Sequence, residues 1–319
     1  MGAADRLGAA DGDHGIHLVD TQYIRPRFGA AYLVVEHGRG AFIDCGTALS
    51  VPHMMAALDA VGLAAQDVDW LIVTHAHLDH AGGAGTLMAQ LPVARLVAHP
   101  RAAPHLVAPA RLIEGTVAVH GAAAFARHYG AVVAVDPARV AIAADGETVD
   151  LAGRALLCVD TPGHARHHLC VWDARSRSWF TGDTFGLSYR QFDSDRGAFA
   201  LPSTSPVQFD PVAAKGSIAR LLERDPVAMY VTHFGRVDAP RRMAADLVAT
   251  LDTMVAHARR LRDAPDRHAR LVDALVADVL QRLHVHGAPV DDATALALLG
   301  SDLDLNAQGL LAWLDTGAP

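Results

Sequence analysis

The sequence predicts an α+β protein in which strands and helices are mixed and a helical region follows. Short β-rich runs broken by turn residues fill the first part of the chain, a pattern typical of paired strands. From Ala239 almost to the end, apolar residues recur at helical spacing. Because 51% of the 319 residues are apolar, the chain can bury a sizeable core.

The first predicted strands follow a leader over residues 1–15. Three β-rich runs are expected to pair as antiparallel neighbours: GIHLVDT, AAYLVVEHG and GAFIDCGT. The run SVPHMMAALDAVGL predicts a helix, with Ser50 as its N-cap and Pro52 in its first turn. A buried strand, another helix and another strand come next: DVDWLIVTH, AGGAGTLMAQL and ARLVAHP.

The middle of the chain begins with an insertion rich in Ala and His. Residues 102–130 are predicted to be a helical insertion, and four strand-like runs follow it: AVVAVD, ALLCVDTPGH, HHLCVWDA and SWFTGD. A helix at about 211–224 and the strand AMYVTHFG complete this part. We therefore expect a flexible leader (1–15), a mixed domain (16–238) and a helical C-terminal region (239–319).

Composition excludes several classes of protein. The chain has a net charge of −8, and its sequence shows no basic patch or stripe of the kind that nucleic-acid binding requires. The N-terminus lacks the pattern of a secretory signal, and no apolar run approaches the roughly 20 residues of a membrane span. Three cysteines without CxxC spacing are expected to be buried free thiols. We expect a cytoplasmic protein that acts on a small-molecule substrate and binds neither nucleic acid nor membrane. A homodimer is possible, and the sequence does not decide the oligomeric state.

The stretch WLIVTHAHLDHAGG places metal-capable side chains directly after a buried strand. An extended chain puts His75, His77 and Asp79 on one side, and His80 follows where two glycines let the chain turn. Histidine suits zinc and iron alike, and catalytic metal sites use about three protein ligands. Four ligand-type residues at one strand end therefore predict a metal site.

The motif THAHLDHAGG resembles the signature of the metallo-β-lactamase superfamily. Its companions follow in order: TPGH supplies His164, FTGDT supplies Asp183 and YVTHFG supplies His233. The run FIDCG resembles the early Asp-x-Gly turn of the family, with Asp44. The resemblance covers about residues 16 to 236 and implies a four-layer αββα sandwich, with the C-terminal helices added to it.

The resemblance also implies a binuclear centre with two divalent ions, zinc first and iron or manganese as alternatives. Each metal would have three ligands of its own, and one carboxylate would be shared. The first set is His75, His77 and His164, the second is Asp79, His80 and His233, and the bridge is Asp183. Asp44 is expected to brace the ligand loops rather than bind metal.

The superfamily contains many reactions, so its fold alone does not select one. An exported β-lactamase is disfavoured by the missing signal, and an RNA nuclease by the acidic chain. The layout resembles glyoxalase II, and we expect attack by metal-activated water on an ester, thioester or lactone carbonyl, with Asp79 or a metal-bound water handling the proton. The GCGR stretch of glyoxalase II after the bridging aspartate is missing. An iron-dependent persulfide dioxygenase and a non-catalytic di-iron oxygen-binding protein are the alternatives.

Four further residues are candidates near the metals. Tyr189 lies six residues past the bridging aspartate and could donate to an oxyanion, or it could be a packing residue. Arg25 and Arg27 on an early hairpin, and Arg166 in PGHARHH, could hold an anionic substrate or could be solvated surface arginines. His168 falls at the second histidine of that stretch and is expected to support the ligands or the fold.

Overall fold

The computed structural model describes residues 13–204, 206 and 208–316. These residues form two compact units. The first unit runs to Asp160 and includes Leu169–Phe180, and the second combines Thr161–His168 with the chain from Thr181 onward. Most of the expected leader (1–15) lies outside the described residues, while Asp13–Gly15 forms one 3-10 turn. The domain division at 16–238 and 239–319 stays a prediction.

The first unit contains a mixed six-stranded sheet in chain order. Its strands are β1 (Ile16–Asp20), β2 (Ala30–Glu36), β3 (Arg39–Ile43), β4 (Val68–Ile72), β5 (Arg95–Ala98) and β6 (Val140–Ile142). The first three strands pair antiparallel, as the sequence predicts, and the last four run parallel. Parallel strands end at one edge of a sheet, and this edge of β4 leads directly into the histidine cluster.

The described helices of the first unit lie between its strands. They are α1 (Val51–Val61), α2 (Leu78–Ala81), α3 (Ala84–Gln90), α4 (Ala103–Val107), α5 (Ala110–His120) and α6 (Ala122–His128). Ser50 and Pro52 stand at the start of α1 as predicted. The helical insertion predicted over 102–130 is confirmed as three helices, α4 to α6.

The core of the first unit has a helix side and a strand side. Leu33 and Phe42 of the sheet share one cluster with Met54 of α1 and Leu87 of α3. On the opposite face, the ring of Tyr32 lies 5.3 Å from that of Phe180, in the antiparallel set β7-β8-β9-β10. The strands of this set are β7 (Thr148–Leu151), β8 (Arg154–Asp160), β9 (Leu169–Asp173) and β10 (Ser178–Leu187).

One predicted strand is wrong. Residues 131–136, AVVAVD, form no strand, although their β-branched residues favour one. Only Val135 of this run is buried and no neighbouring strand pairs with it, so the run follows the surface. The chain pairs instead at β6, four residues further on, because there Leu96 and Val97 of β5 offer a parallel partner.

The second unit combines strand pairs with long helices. Its elements after β10 are α7 (Pro211–Leu222), β11 (Ala228–His233), β12 (Gly235–Asp238), α8 (Pro240–Arg260), α9 (Arg267–His286) and α10 (Asp292–Asp315). Strands β11 and β12 pair antiparallel. Helix α10 packs against α8 and α9 and buries Leu303, Leu310 and Leu314, so the apolar stripe near the C-terminus is a packing face, as expected.

The cysteines follow their prediction. Cys45, Cys158 and Cys170 are buried thiols that do not form a disulfide. Burial raises the pKa of the Cys45 and Cys158 thiols, which keeps both protonated at neutral pH. Within the described part of the chain, no helix has the length and apolar content needed to span a membrane.

Candidate metal centre

The histidine motif begins where β4 ends. The chain leaves the strand after Ile72 and passes through His75 and His77 to the single helical turn α2, which carries Asp79 and His80. His75 and His80 are fully buried, whereas His77 and Asp79 are half-buried. The predicted strand end with four ligand-type side chains is therefore present in the first unit.

Two imidazoles of the motif face each other. His75 Nε2 lies 2.9 Å from His77 Nδ1. Two nitrogens bound to one tetrahedral zinc at about 2.1 Å lie roughly 3.4 Å apart, so this spacing is close to that of two ligands of one ion. The side chains meet because alternate residues of the extended segment share a side.

Asp44 braces these ligands from the end of β3. Its carboxylate accepts hydrogen bonds from the backbone N–H of Thr74 (2.8 Å) and from His80 Nδ1 (2.9 Å). The Thr74 hydroxyl donates to the same carboxylate and lies 3.1 Å from His75 Nδ1. The outer nitrogens of two histidines are thus engaged, which leaves each Nε2 as the inner donor atom. This is the brace expected of Asp44.

Asp79 and His80 form a second pair of ligand-type side chains in this unit. Asp79 Oδ2 lies 3.6 Å from His80 Nε2, so an oxygen and a nitrogen that could bind the same metal ion lie close together. The Asp79 side chain is 23% exposed and can exchange protons with solvent. A nitrogen–nitrogen pair and a nitrogen–oxygen pair therefore lie side by side within six residues of sequence.

The second unit brings together three ligand-type residues that are far apart in sequence. Asp183 lies in β10, His164 follows β8, and His233 ends β11. Asp183 Oδ2 is 3.4 Å from His164 Nε2, and its Oδ1 is 3.6 Å from His233 Nε2. The two oxygens of one carboxylate thus face two different histidines, which is the arrangement that a bridging carboxylate needs.

A glycine allows the His164 turn to form. Gly163 has φ +139°, and a Cβ built on it would lie 2.3 Å from the Cα of Ala214 in α7. Any larger residue would push the TPGH turn off that helix. The turn is also held by the carbonyl of Gly163, which accepts from the N–H of Asp210.

Ser203 supports both His164 and Asp183. Its backbone carbonyl accepts from His164 Nδ1 at 3.1 Å, and its hydroxyl donates to Asp183 Oδ2 at 3.2 Å. His168 supports the same aspartate, because its Nε2 accepts the backbone N–H of Asp183 at 3.1 Å. His168 therefore has the supporting role that the sequence suggests for it, with its Nδ1 beside the hydroxyls of Thr161 and Thr184.

The donor chemistry in both units fits divalent metal ions. Each unit offers buried imidazole nitrogens beside carboxylate oxygens, the ligand types that zinc, iron and manganese accept. Among the described residues, these histidines and aspartates form groups that could hold a metal. His80 Nδ1 donates to Asp44, and His164 Nδ1 donates to the Ser203 carbonyl. Because Nδ1 then carries the proton, Nε2 of each ring has the lone pair that can bind a metal.

Tyr189 is placed by packing. It is fully buried, and its hydroxyl donates to Asp302 Oδ2 of α10 at 3.1 Å. This position agrees with the packing alternative, because the hydroxyl already has a carboxylate acceptor. The oxyanion role stays a prediction.

The three candidate arginines occupy different surroundings. The Arg25 guanidinium lies over the Phe28 ring, 4.9 Å from its centroid. Arg27 has φ +58° and its backbone N–H donates to Asp20. Arg166 is exposed, and its backbone N–H donates to Gln208. Their roles toward an anionic substrate stay predictions.

Sequence reasoning missed two groups of residues. Ser203 lies in the run PSTSPVQFDP, which carries no motif. The Tyr23 hydroxyl donates a hydrogen bond to the Tyr129 hydroxyl at 2.5 Å. The pKa of Tyr129 is raised, mainly by burial and further by the negative charge of Asp79. No pattern in the helical insertion marked Tyr129, since its partner lies 106 positions away.

Comparison with known proteins gives consistent matches. A family model described as the metallo-beta-lactamase superfamily matches residues 24–233. Hydroxyacylglutathione hydrolase of Acidiphilium cryptum is 29% identical over 260 residues, which cover 79% of this chain and 85% of that protein. A metallo-beta-lactamase fold-containing protein of Sulfurisphaera tokodaii is 26% identical over 237 residues, or 73% of this chain and 83% of that protein.

Solved structures show the same fold. An archaeal metallo-beta-lactamase superfamily protein from Sulfolobus tokodaii matches with a TM-score of 0.64 and 21% identity, over 93% of this chain and 98% of that one. A metallo-beta-lactamase family protein from Thermus thermophilus matches with a TM-score of 0.66 and 20% identity, over 95% and 94% of the two chains. At these identities the likeness concerns the fold alone.

Proposed function

The chain belongs to the metallo-β-lactamase superfamily, and on that premise we propose that it is a metal-dependent hydrolase of ester, thioester or lactone carbonyls. The α+β fold with two sheets and added C-terminal helices is the one that the sequence predicts. Fold alone does not select a reaction, so the proposal rests on the ligand residues and their supports.

The observation that carries the proposal is the placement of Asp183. Each of its oxygens faces a different histidine, and such a carboxylate can be shared by two ions. We propose that the chain binds two metal ions through the ligand residues that the motifs of the superfamily imply. The first ion takes His75, His77 and His164, the second takes Asp79, His80 and His233, and Asp183 is shared.

Bound divalent ions would supply Lewis acidity, which polarises a carbonyl oxygen and makes water a nucleophile near neutral pH. Asp79 is the residue that we propose handles the proton, because its carboxylate is both next to His80 Nε2 and partly open to solvent. Asp44 and Ser203 hold the histidines in one tautomer, which keeps the inner nitrogens available. Zinc is the metal that we expect first, with iron or manganese accepted by the same donors.

Thioesters are the first substrate class to test. The similarity to hydroxyacylglutathione hydrolase favours a thioester carbonyl. The chain lacks the GCGR stretch expected after the bridging aspartate, so we propose that the thiol part of the substrate is not glutathione. A small acyl thioester or a lactone fits this account.

The test is a substrate panel on zinc-loaded protein. We expect hydrolysis of at least one thioester, lactone or aryl ester, lost on chelation and restored by zinc. Asp183→Ala is the inactive variant, and Asp252→Ala is the control, since Asp252 pairs with Lys215 on the surface. Protein that hydrolyses none of these and consumes oxygen with one bound iron would replace the proposal with the dioxygenase alternative.

A further inference from the structure

The C-terminal helix α10 carries a buried amide at a position of its apolar stripe. Asn306 is 2% exposed and lies between Leu303 and Leu310, which are buried on the same side at helical spacing. Asparagine is a poor helix former, and a buried amide is costly unless its polar atoms are bonded. A leucine would suit this position for packing alone, so the amide calls for another explanation.

The polar groups of Asn306 form hydrogen bonds with one short segment of backbone around Ser203. Its Nδ2 donates to the carbonyl of Pro202 at 2.9 Å, and its Oδ1 accepts the N–H of Thr204 at 2.7 Å. Its own backbone carbonyl accepts the Thr204 hydroxyl at 2.9 Å. The three hydrogen bonds therefore fix the backbone on both sides of Ser203.

Ser203 is the residue that holds two of the proposed metal ligands. Its carbonyl accepts from His164 Nδ1, and its hydroxyl donates to Asp183 Oδ2. A shift of this residue would move the acceptor that sets the tautomer of His164 and the donor that orients the aspartate. The path from Asn306 to both ligands thus runs through a short segment of backbone with Ser203 at its centre.

The loop is tied at both of its sides. On its N-terminal side, Leu201 pairs with Leu187 at the end of β10. Beyond Leu201, the backbone of Pro202 and Thr204 is bonded to the helix through Asn306. Groups bonded directly to metal ligands typically change metal affinity by about 10–100-fold when they are removed, and Asn306 acts one residue further away, through Ser203.

We propose that Asn306 is a positioning residue of the metal centre, which ties the C-terminal helix to His164 and Asp183 through Ser203. This inference rests on the proposed function for the identity of the ligands. It assigns the C-terminal helix a part in metal binding and not only in packing. It predicts that changes in α10 reach the metals through one amide.

The test is metal affinity, which does not depend on knowing the substrate. Zinc dissociation constants are measured by competition with a chromophoric chelator for wild type, Asn306→Ala and Gln308→Ala. Gln308 is the matched control, because its amide lies on the same helix and donates to Asp304 within it. Melting of the metal-free proteins shows that each variant is folded.

We expect Asn306→Ala to weaken at least one zinc site by about three- to tenfold, below the 10–100-fold typical of groups bonded directly to ligands, and to change the visible absorption of the cobalt-loaded protein. Gln308→Ala should leave both unchanged. Should Asn306→Ala fail to fold, Thr204→Val removes one of the three bonds with little change in volume, and we expect a smaller weakening in the same direction.

Three results would decide against the inference. Unchanged affinity and an unchanged cobalt spectrum in the Asn306 and Thr204 variants would overturn it, as would an equal loss in Gln308→Ala. A wild-type protein that binds no metal would remove this inference and the proposed function together. A wild-type protein that binds two metals and hydrolyses nothing ends the proposed function alone, and the affinity comparison still decides the role of Asn306.

Discussion

The two units place their candidate metal ligands in different ways. The first unit places four ligand-type residues within six positions of sequence, after one strand, and braces them with Asp44 and Thr74. The second unit draws three residues from three separate elements and braces them through Ser203. The first arrangement is local in the chain, whereas the second depends on the tertiary structure of loops and helices.

The groups that support the candidate ligands also differ between the two units in their charge. In the first unit the brace is a charged carboxylate at a strand end, and Asp44 adopts φ +58° to reach its partners. In the second unit the brace is a neutral carbonyl and a hydroxyl on a loop that a distant helix fixes.

The largest effect is expected at the shared aspartate. Asp183→Ala should lose bound metal and at least about a thousandfold in kcat/KM, since several kcal/mol of charge stabilisation depend on the metals. His77→Ala should act similarly from the other unit. Metal analysis of the folded variants checks both. Full metal content in the two variants would remove the ligand assignment.

A smaller effect is expected when the brace of the first unit is changed. Asp44→Asn keeps the side-chain volume but removes the carboxylate charge that accepts the hydrogen bond from His80 Nδ1. We therefore expect metal affinity to fall about 10–100-fold. Thr74→Val is the control, because it removes the hydroxyl while leaving the carboxylate bonded to His80. An equal loss in both variants would assign the effect to the Thr74 hydroxyl and its contact with His75.

The brace of the second unit should be milder to remove. Ser203→Ala deletes the hydroxyl bonded to Asp183 but retains the carbonyl that accepts from His164, so we expect a loss of affinity of at most about tenfold. A cavity of about 20 Å³ borders Ser203, His164 and Asp183, which gives a water room to replace the hydroxyl. Ser194→Ala serves as the control, since its hydroxyl bonds to His286. If Ser203→Ala lost more metal affinity than Asp44→Asn, the support in the second unit would be the stronger of the two, contrary to this prediction.

The smallest effect is expected at the hairpin arginines. Replacing Arg25 and Arg27 with glutamine should raise KM for anionic substrates by about threefold, because partly exposed, solvent-screened ion pairs contribute only about 0.2–1 kcal/mol each. Neutral substrates should be unaffected. Substituting the exposed Arg236 and Arg241 provides the control. An equal rise in KM for neutral substrates would mean that the arginines support the hairpin and do not bind substrate.

The sequence predicted the elements that carry strong local patterns. The strand before His75, the helices with Ser50 and Pro52 or with an apolar stripe, and the motif residues were all visible in short windows. The strand expected over 131–136 was wrong, because β-branched residues favour a strand only where a neighbouring strand is available to pair with them.

Supports made by tertiary contacts were not predictable in this way. Asp44 could be expected as a brace because it lies in a motif. Ser203 contributes a backbone carbonyl, which every residue type has, and Asn306 meets its loop across about a hundred positions of sequence. The one available signal was a polar residue within the apolar stripe of α10, which marks a buried amide but not its partner.

We propose that the chain binds two metal ions, and that Asp183 is shared by them. The most direct measurement is elemental analysis of protein purified without added metal, together with its absorption spectrum. We predict two divalent ions per chain, with zinc and no colour as the expected form, and loss of both ions in Asp183→Ala. One iron per chain, or two ions that survive the loss of Asp183, would contradict the account.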